Sequence, residues 1–373
     1  MCTPESRRRK AELVAALLVL RIFSCKHKPA LYTELNTNQK DKKMENIQAN
    51  DKMFLTSEAY HRSPKSEVVP TVGAWEIAST FDFNVQAQPM SFTNSQGQQQ
   101  AVTGSNAIVR TGGRDSNGVE VPDIALSAVG TRYVVSNYYD YFSSIASTLT
   151  EQGCKVETVG TLGNGAKAFM SVSLPDGIGN IDLGGTEQGG TMLNFGDSCD
   201  GSCSQRGALA FGRIVCENFF STELLGMPAL WKIQHRTNAA EYATAALRTL
   251  ESAVAKAQGV SETINRLVDS PFSEAEFRSM VAAVQGERPE DTGTGQTVYD
   301  AKFAAIMERY NADDVADVRS TRWGALQAVQ GWSQHSRGTR GDNDKVSRNI
   351  SEAIFSDSDP LLKRFSAALL ANA

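Results

Sequence analysis

The chain has 373 residues, of which 41% are hydrophobic and 21% are charged, enough apolar residues to fill one large core or two ordinary ones. Its net charge of −5 is divided unevenly: residues 1–43 carry ten basic and four acidic residues (+6), and the remainder carries 27 basic and 38 acidic residues (−11). This balance argues against a body that coats nucleic acid by charge alone, although it allows a local basic groove.

Six cysteines are spread irregularly along the chain, which favours reduced thiols in the cytoplasm over a disulfide framework. No apolar run approaches the roughly 20 residues that a membrane-spanning helix needs. Arg7–Lys10 and Leu13–Leu20 imitate the start of a signal peptide, but the apolar run is short and no small-residue cleavage site follows it. We therefore expect a cytoplasmic protein outside the membrane, with residues 1–43 as a disordered extension or as sequence upstream of a true start at Met44.

The first part of the chain has the pattern of strands. Gln98–Arg110 indicates a hairpin that turns at Thr103–Asn106, and Gly163–Gly165 indicates the turn of a second hairpin. A short helix is expected at 74–81, and Asn137 caps another helix that runs to about residue 152. Segments that alternate apolar and polar residues, or are rich in β-formers, predict strands at 81–88, 124–129, 132–135, 155–159, 166–174, 191–195, 208–215 and 231–235.

After Thr237 the pattern changes to that of helices. Helical spacing of apolar residues, with an N-cap at Ser273, predicts helices at 238–258, from 273 onward, and at 298–310, 321–334 and 361–371. Strands followed by helices predict an α+β fold: a curved, mainly antiparallel sheet in the first two-thirds and a helical C-terminal half. We expect a strand-rich region at 44–236 and a helical region at 237–373 that pack as one domain.

Four blocks of sequence, with a weaker tail match near Trp323, Trp332 and Arg348, carry a family resemblance. The blocks are Val129–Asn137, Gly153–Gly165, Asp200–Ser202 with Arg213–Asn218, and Ile233–Arg236. In this order they resemble a phage- and plasmid-related family known only as a domain of unknown function, DUF932. The chain departs from the family at Cys199, Phe219 and Gln327, where a His, a Thr and an Asn are usual. The resemblance implies a mobile-element protein that works in the cytoplasm near nucleic acid, and it supplies no reaction.

The stretch Met192–Arg236 brings Asp, Cys, Asn, His and Arg together, which indicates a site. Cys216 and His235 are candidates for the nucleophile and base of a hydrolase or transferase, with Asp200 or Asn218 as the orienting group. Such a thiol needs a lowered pKa. The competing interpretation is that Cys216 ends a buried strand, because cysteine is among the most buried residue types.

Two sets of side chains have the chemistry of metal ligands, one of thiols with an imidazole for zinc and one of carboxylates for magnesium. They are Cys199, Cys203, Cys216 and His235 for zinc, and Asp182, Asp197 and Asp200 for magnesium. The thiols lack the matched pairs of common zinc sites. Asp200-Gly201 favours a turn, in which the aspartate accepts an Asx hydrogen bond and the glycine takes a positive φ. We therefore expect no metal at either set. Because no nucleotide-binding glycine motif is present, we also expect no cofactor.

Nucleic-acid binding is the leading interpretation, because single-strand binders combine cationic grooves with aromatic side chains on which bases stack. The competing interpretation is that tryptophans on helices belong to the core. The expected contacts are Arg213, Asn218, Lys232, Arg236, Trp323, Arg337 and Arg340. We expect a non-enzymatic accessory protein that binds or anneals single-stranded DNA in recombination or replication and self-associates as a homo-oligomer. The alternatives are the Cys216–His235–Asp200 enzyme and a structural or host-interaction protein.

Overall fold

The computed structural model describes residues 51–56, 67–114, 119–175, 180–182, 188–213, 219–235, 239–290, 293–338, 345–355 and 358–371. Residues 43–373 form one compact unit, and residues 1–42 lie outside the described residues. The interpretation of residues 1–43 therefore stays a prediction. No helix in the described ranges is long and apolar enough to cross a membrane.

The described strands form two sheets. The large sheet contains β1 (Met53–Leu55), β2 (Glu67–Val68), β6 (Lys155–Leu162), β7 (Lys167–Ser173), β8 (Asn180–Asp182), β9 (Gln188–Ser198), β10 (Gln205–Arg213), β11 (Phe219–Ser221) and β12 (Trp231–Ile233). Its order is β11-β10-β9-β7-β6-β1-β2, with β8 beside β9 and β12 beside β10, and only β1 and β2 pair in parallel. The small sheet is antiparallel and contains β3 (Asn84–Thr93), β4 (Gln99–Thr111) and β5 (Ile124–Gly130).

Helices dominate the C-terminal half. They are α1 (Ala74–Thr80), α2 (Tyr138–Thr150), α3 (Ala239–Val268), α4 (Glu274–Gln285), α5 (Thr294–Tyr310), α6 (Arg322–Gly331), α7 (Lys345–Phe355) and α8 (Pro360–Ala371). A π-helical turn at Trp332–Ser336 continues α6, and short 3-10 turns lie at Thr222–Leu225 and Asp313–Val315. The predicted α+β class, with a mainly antiparallel sheet followed by helices, is confirmed.

Local sequence signals placed several elements correctly. The Asn137 side chain caps α2 by accepting the backbone N–H of Asp140 at 3.2 Å. Asn164 takes a φ of 60° in the turn between β6 and β7, where the second hairpin was predicted. Ser273 and Glu276 form a reciprocal capping box at the start of α4. Each of these signals is satisfied within a few residues, which is why the sequence was sufficient.

The hairpin predicted within Gln98–Arg110 is wrong. Residues 99–110 lie in the single strand β4, and the chain reverses earlier, where Asn94 Oδ1 accepts the N–H groups of Gln96 and Gln98 at 3.0 and 2.9 Å. Opposite Pro89 the register shifts, and Gly104 takes a φ of +84°. The turn-forming residues at 103–106 therefore form an irregularity within a strand. Glycine with a positive φ occurs in such β-bulges as well as in turns.

Two further elements differ from the prediction. Residues 132–135 form no strand, because a turn at Thr131-Arg132 leads into an extended segment before α2. Helix α7 was not predicted, although Ile350, Ala353 and Ile354 are buried at helical spacing. The polar residues between them concealed an amphipathic pattern.

The large sheet is buried on both faces. Phe169 and Met192 belong to one apolar cluster, whereas their strand neighbours Met170 and Leu193 belong to the other. Since successive side chains of a strand point to opposite faces, helices must cover both sides. One face packs against helices that include α2, α6 and α8, and the other packs against Ile350, Ala353, Ile354 and Phe355 of α7.

Candidate functional site

An open cleft of about 660 Å³ lies between the small sheet and the turn that joins β9 to β10. Its lining residues are Gly104, Gly130, Thr131, Arg132, Tyr133, Gly201, Ser202, Cys203, Ser204, Gln234 and His235. The lining contains an exposed guanidinium, hydroxyl and amide groups and two aromatic rings, but no carboxylate. The cleft thus offers hydrogen-bond donors and a positive charge to a polar ligand.

A buried carboxylate lies behind this lining. Asp197 is fully buried, and its Oδ2 accepts hydrogen bonds from Ser136 Oγ at 2.7 Å and from Gln205 Nε2 at 3.1 Å. Its Oδ1 lies 3.4 Å from Nε2 of His235, a side chain that is only 8% exposed. Burial raises the pKa of Asp197, and the charge of His235 and these hydrogen bonds oppose that rise.

The orientation of His235 is fixed by its surroundings. Nε2 faces two acceptors, the Asp197 carboxylate and the Cys203 carbonyl oxygen at 3.1 Å, so Nε2 carries the proton. The ring packs on Tyr133 with 4.7 Å between centroids, and the Tyr133 hydroxyl donates to the Ser198 carbonyl at 2.8 Å. In the described part of the chain, Nδ1 has no hydrogen-bond partner. Tyr133 and His235 therefore form one rigid aromatic wall of the cleft.

The turn between β9 and β10 has the predicted Asx geometry. Asp200 Oδ1 accepts the N–H of Ser202 at 2.8 Å, and Gly201 has a φ of +75°. Asp200 thus serves the turn, and Asp197, not Asp200 as predicted, lies beside His235. Cys216, the proposed nucleophile, lies outside the described residues.

The cysteines near the cleft are held as thiols. Cys199 is buried, its thiol donates to the Ala166 carbonyl at 3.3 Å, and burial raises its pKa to about 12. The Cys203 thiol donates to the Ser204 carbonyl at 3.0 Å, and burial raises its pKa as well. Across the ranges that the structure describes, no group of three or more His, Cys, Asp or Glu side chains is arranged to hold a metal ion.

We expect Cys199 and Cys154 to resist alkylation in the folded protein. Burial raises the pKa of both thiols to about 12, so only about one molecule in ten thousand carries the reactive thiolate at pH 8. The measurement is iodoacetamide labelling at pH 8, followed by peptide mass spectrometry, in buffer and in urea. Equal labelling rates of Cys199 in the two conditions would show that this thiol is not protected.

Two predicted nucleic-acid contacts are engaged within the fold. Trp323 has no exposed surface and packs on Phe211 with 5.7 Å between ring centroids, so no base can stack on it while the core is intact. The Arg337 guanidinium pairs with Glu352 at 2.9 Å and with Asp359. The burial of Trp323 corrects the expectation that this ring faces a nucleic acid, whereas the role of Arg337, which is partly exposed, stays a prediction.

The other predicted contacts are placed as follows. Lys232 is 57% exposed, with Nζ 3.6 Å from a Glu223 oxygen. Only the backbone of Arg213, at the end of β10, is described. Asn218, Arg236 and Arg340 lie outside the described residues, so their roles stay predictions.

No site role was predicted for Arg132, Tyr133 or Ser136, and Asp197 was considered only as a possible magnesium ligand. The first three lie in the block Val129–Asn137, which was noted only for its family resemblance. The fold brings this block to the segments Asp200–Ser202 and Gln234-His235. A signal was therefore present in the blocks, but their meeting in space was not readable from one sequence.

Comparison with known proteins gives one match. A family model described as Domain of unknown function (DUF932) covers residues 125–354, more than half of the chain. No curated protein and no solved structure matches the chain. Of the cleft lining, every residue except Gly104 falls within the matched range.

Proposed function

The chain belongs to the DUF932 family, and from the lining of its cleft we propose that it binds single-stranded nucleic acid, with single-stranded DNA as the favoured ligand. The observation that carries the proposal is a cleft in an acidic protein that presents Arg132, Tyr133 and His235 and no carboxylate. The family description itself names no activity.

The lining supplies both parts of single-strand recognition. Cations attract the phosphates, and aromatic faces stack on unpaired bases with little sequence preference. Arg132 is exposed at the cleft, and the packed rings of Tyr133 and His235 form the aromatic wall beside it. The hydroxyls of Thr131 and Ser202 add hydrogen-bonding groups of the type that contact phosphate and sugar.

The acidic excess of the chain is carried mainly by other elements. Residues 239–317, which include α3, α4 and α5, hold 14 acidic and 7 basic residues, a balance of −7. None of these residues lines the cleft. The net charge of the chain therefore does not describe the charge that a single-stranded nucleic acid meets in the cleft.

Lys232 extends the cationic surface beyond the cleft. It lies two residues before Gln234, and residues two apart in an extended segment share a face. Glu223 contacts both Lys232, at 3.6 Å, and the buried Arg206, at 2.7 Å, so one carboxylate is shared between two cations. The exposed amine of Lys232 can turn from Glu223 toward a phosphate.

In this proposal the protein is a cytoplasmic accessory factor of a phage or plasmid. It holds or anneals single strands during recombination or replication. Self-association would place several clefts along one strand, and the resulting avidity would compensate for the small number of cations in each cleft.

The test is fluorescence anisotropy of the full chain with labelled single-stranded and double-stranded DNA and RNA over a salt series. We expect saturable single-strand binding that weakens with salt. Arg132→Ala and Lys232→Ala should each lower the affinity and reduce the slope of the log–log salt plot by about 0.7. Arg278→Ala, which removes an exposed charge from α4, is the matched control and should change neither.

Absence of binding at low salt would contradict the proposal. Equal losses in Arg132→Ala and Arg278→Ala would also contradict it, because the effect would then follow net charge and not the cleft.

The second candidate is an enzyme that uses His235 as a base oriented by Asp197, favoured by their buried pairing at 3.4 Å. Since Nε2 carries the shared proton, Nδ1 would have to be the base. Nδ1 is buried in the described structure, which is why binding is the preferred function. Cleavage of the labelled strand during the binding assay, lost in His235→Gln, would favour the enzyme.

A further inference from the structure

Residues 83–109 contain no Asp, Glu, Lys, Arg or His, and no other stretch of the chain without these residues is as long. The run covers β3, the turn after it and most of β4. In a chain with 21% charged residues, such a run on the surface is unusual and requires a physical reason.

The uncharged run is at the surface. None of the side chains at 84–107 is buried, and Phe92 is 49% exposed. The run is anchored at its base by Ile108, which is fully buried in the main core. β5 pairs with β4 only at Ser105–Arg110, so residues 90–102 form a two-stranded extension, here called the distal hairpin.

The distal hairpin lacks the features that usually keep such an element soluble and isolated. A two-stranded hairpin without a core is marginally stable in water. Edge strands are normally protected by charged side chains, and within the described sheet the outer edge of β3 offers only Pro89 and the register shift beside it for this purpose. A covered hairpin would need neither a core of its own nor protecting charges.

We propose that the distal hairpin is a self-association surface, and that its partner is the distal hairpin of a second copy. Any charged surface placed against it would bury charges without counterparts, which is costly. The body of the chain is acidic, so copies repel one another elsewhere, whereas two distal hairpins meet without any charge. Like-with-like contact of one surface produces a closed twofold dimer. This inference assigns a surface and a symmetry to the self-association that the proposed function invokes, and it does not depend on nucleic acid.

The test uses the full chain without nucleic acid, in sedimentation equilibrium over a concentration series. Wild type should show a reversible monomer–dimer equilibrium. Phe92→Glu and Phe92→Lys should each weaken the dimer by about a hundredfold, because like charges would then meet across the twofold axis. An equimolar mixture of the two variants should regain the dimer. Val298→Glu, which alters a residue of α5 that is 60% exposed, is the control and should dimerise as wild type does.

Three outcomes would overturn the proposal: a monomeric wild type at every concentration, dimers unaffected by both Phe92 charges, or a mixture that stays monomeric. Circular dichroism melting curves would verify that the variants are folded. We expect them to be folded, because the substituted side chain of Phe92 is exposed. If wild type is monomeric and Phe92→Glu loses single-strand affinity, the distal hairpin contacts nucleic acid and not a second copy. If single-strand binding is absent but the dimer behaves as expected, only the proposed function fails.

Discussion

Replacement of Asp197 by alanine is expected to lower the free energy of unfolding by about 3–5 kcal/mol, because each buried donor left without its acceptor costs about 1–3 kcal/mol. The carboxylate is fully buried and accepts hydrogen bonds from Ser136 and Gln205 beside its contact with His235. Alanine would leave all three groups without their acceptor in the protein interior. Asparagine keeps the shape and one oxygen acceptor, so Asp197→Asn should cost less.

Urea denaturation followed by tryptophan fluorescence measures this effect. Asp200→Ala is the matched control. Asp200 lies three residues further along the same segment, and one of its oxygens accepts the hydrogen bond of the Asx turn. We expect Asp200→Ala to cost about 1 kcal/mol or less. Similar losses for Asp197→Ala and Asp200→Ala would mean that the buried network behind the cleft contributes no more to stability than the Asx turn does.

Replacement of Trp323 by alanine is expected to cost a similar amount, about 3–5 kcal/mol, because the change opens a large cavity in the core. The indole is fully buried and packs edge-to-face on Phe211 of β10. The affinity of the folded fraction for single-stranded DNA should remain that of wild type. Arg132→Ala should show the opposite result, lower affinity with little change in stability, because Arg132 is exposed.

The measurement pairs urea denaturation with anisotropy for both variants, and Trp323→Phe serves as a variant with a smaller cavity. A stable Trp323→Ala protein with lost affinity would support the predicted stacking role of Trp323. Loss of stability in Arg132→Ala would indicate a structural role for that guanidinium.

The elements that the sequence predicted correctly are those whose causes are local. The Asn137 cap, the capping box of Ser273 and Glu276, and the turn at Gly163–Gly165 are each satisfied by residues two to four positions away. The hairpin placed at Thr103–Asn106 failed because the same residue types also suit an irregular strand. The choice between a turn and a bulge is made by the partner strand, which is distant in sequence.

The candidate site depended on partners that periodicity does not identify. The Asp200 turn was predicted from its own residues, but the choice of Asp197 as the neighbour of His235 required the pairing of β9, β10 and β12. The sequence around Trp323 does not distinguish a helix that faces solvent from a helix that packs on the sheet. Burial was decided by Phe211, more than one hundred residues away. Tertiary contacts thus bury Trp323 and place Tyr133 at the cleft.

Photochemical crosslinking tests the central claim most directly, because it reports which residues touch the strand. A single-stranded oligonucleotide with a photoreactive thymine analogue would be irradiated with the full chain, and the crosslinked peptides would be mapped by mass spectrometry. We predict crosslinks in the peptide that contains Tyr133 and in the segment Gly201–Ser204, both removed by an excess of unlabelled strand. Saturable binding with crosslinks confined to the helices of residues 239–371 would contradict the account.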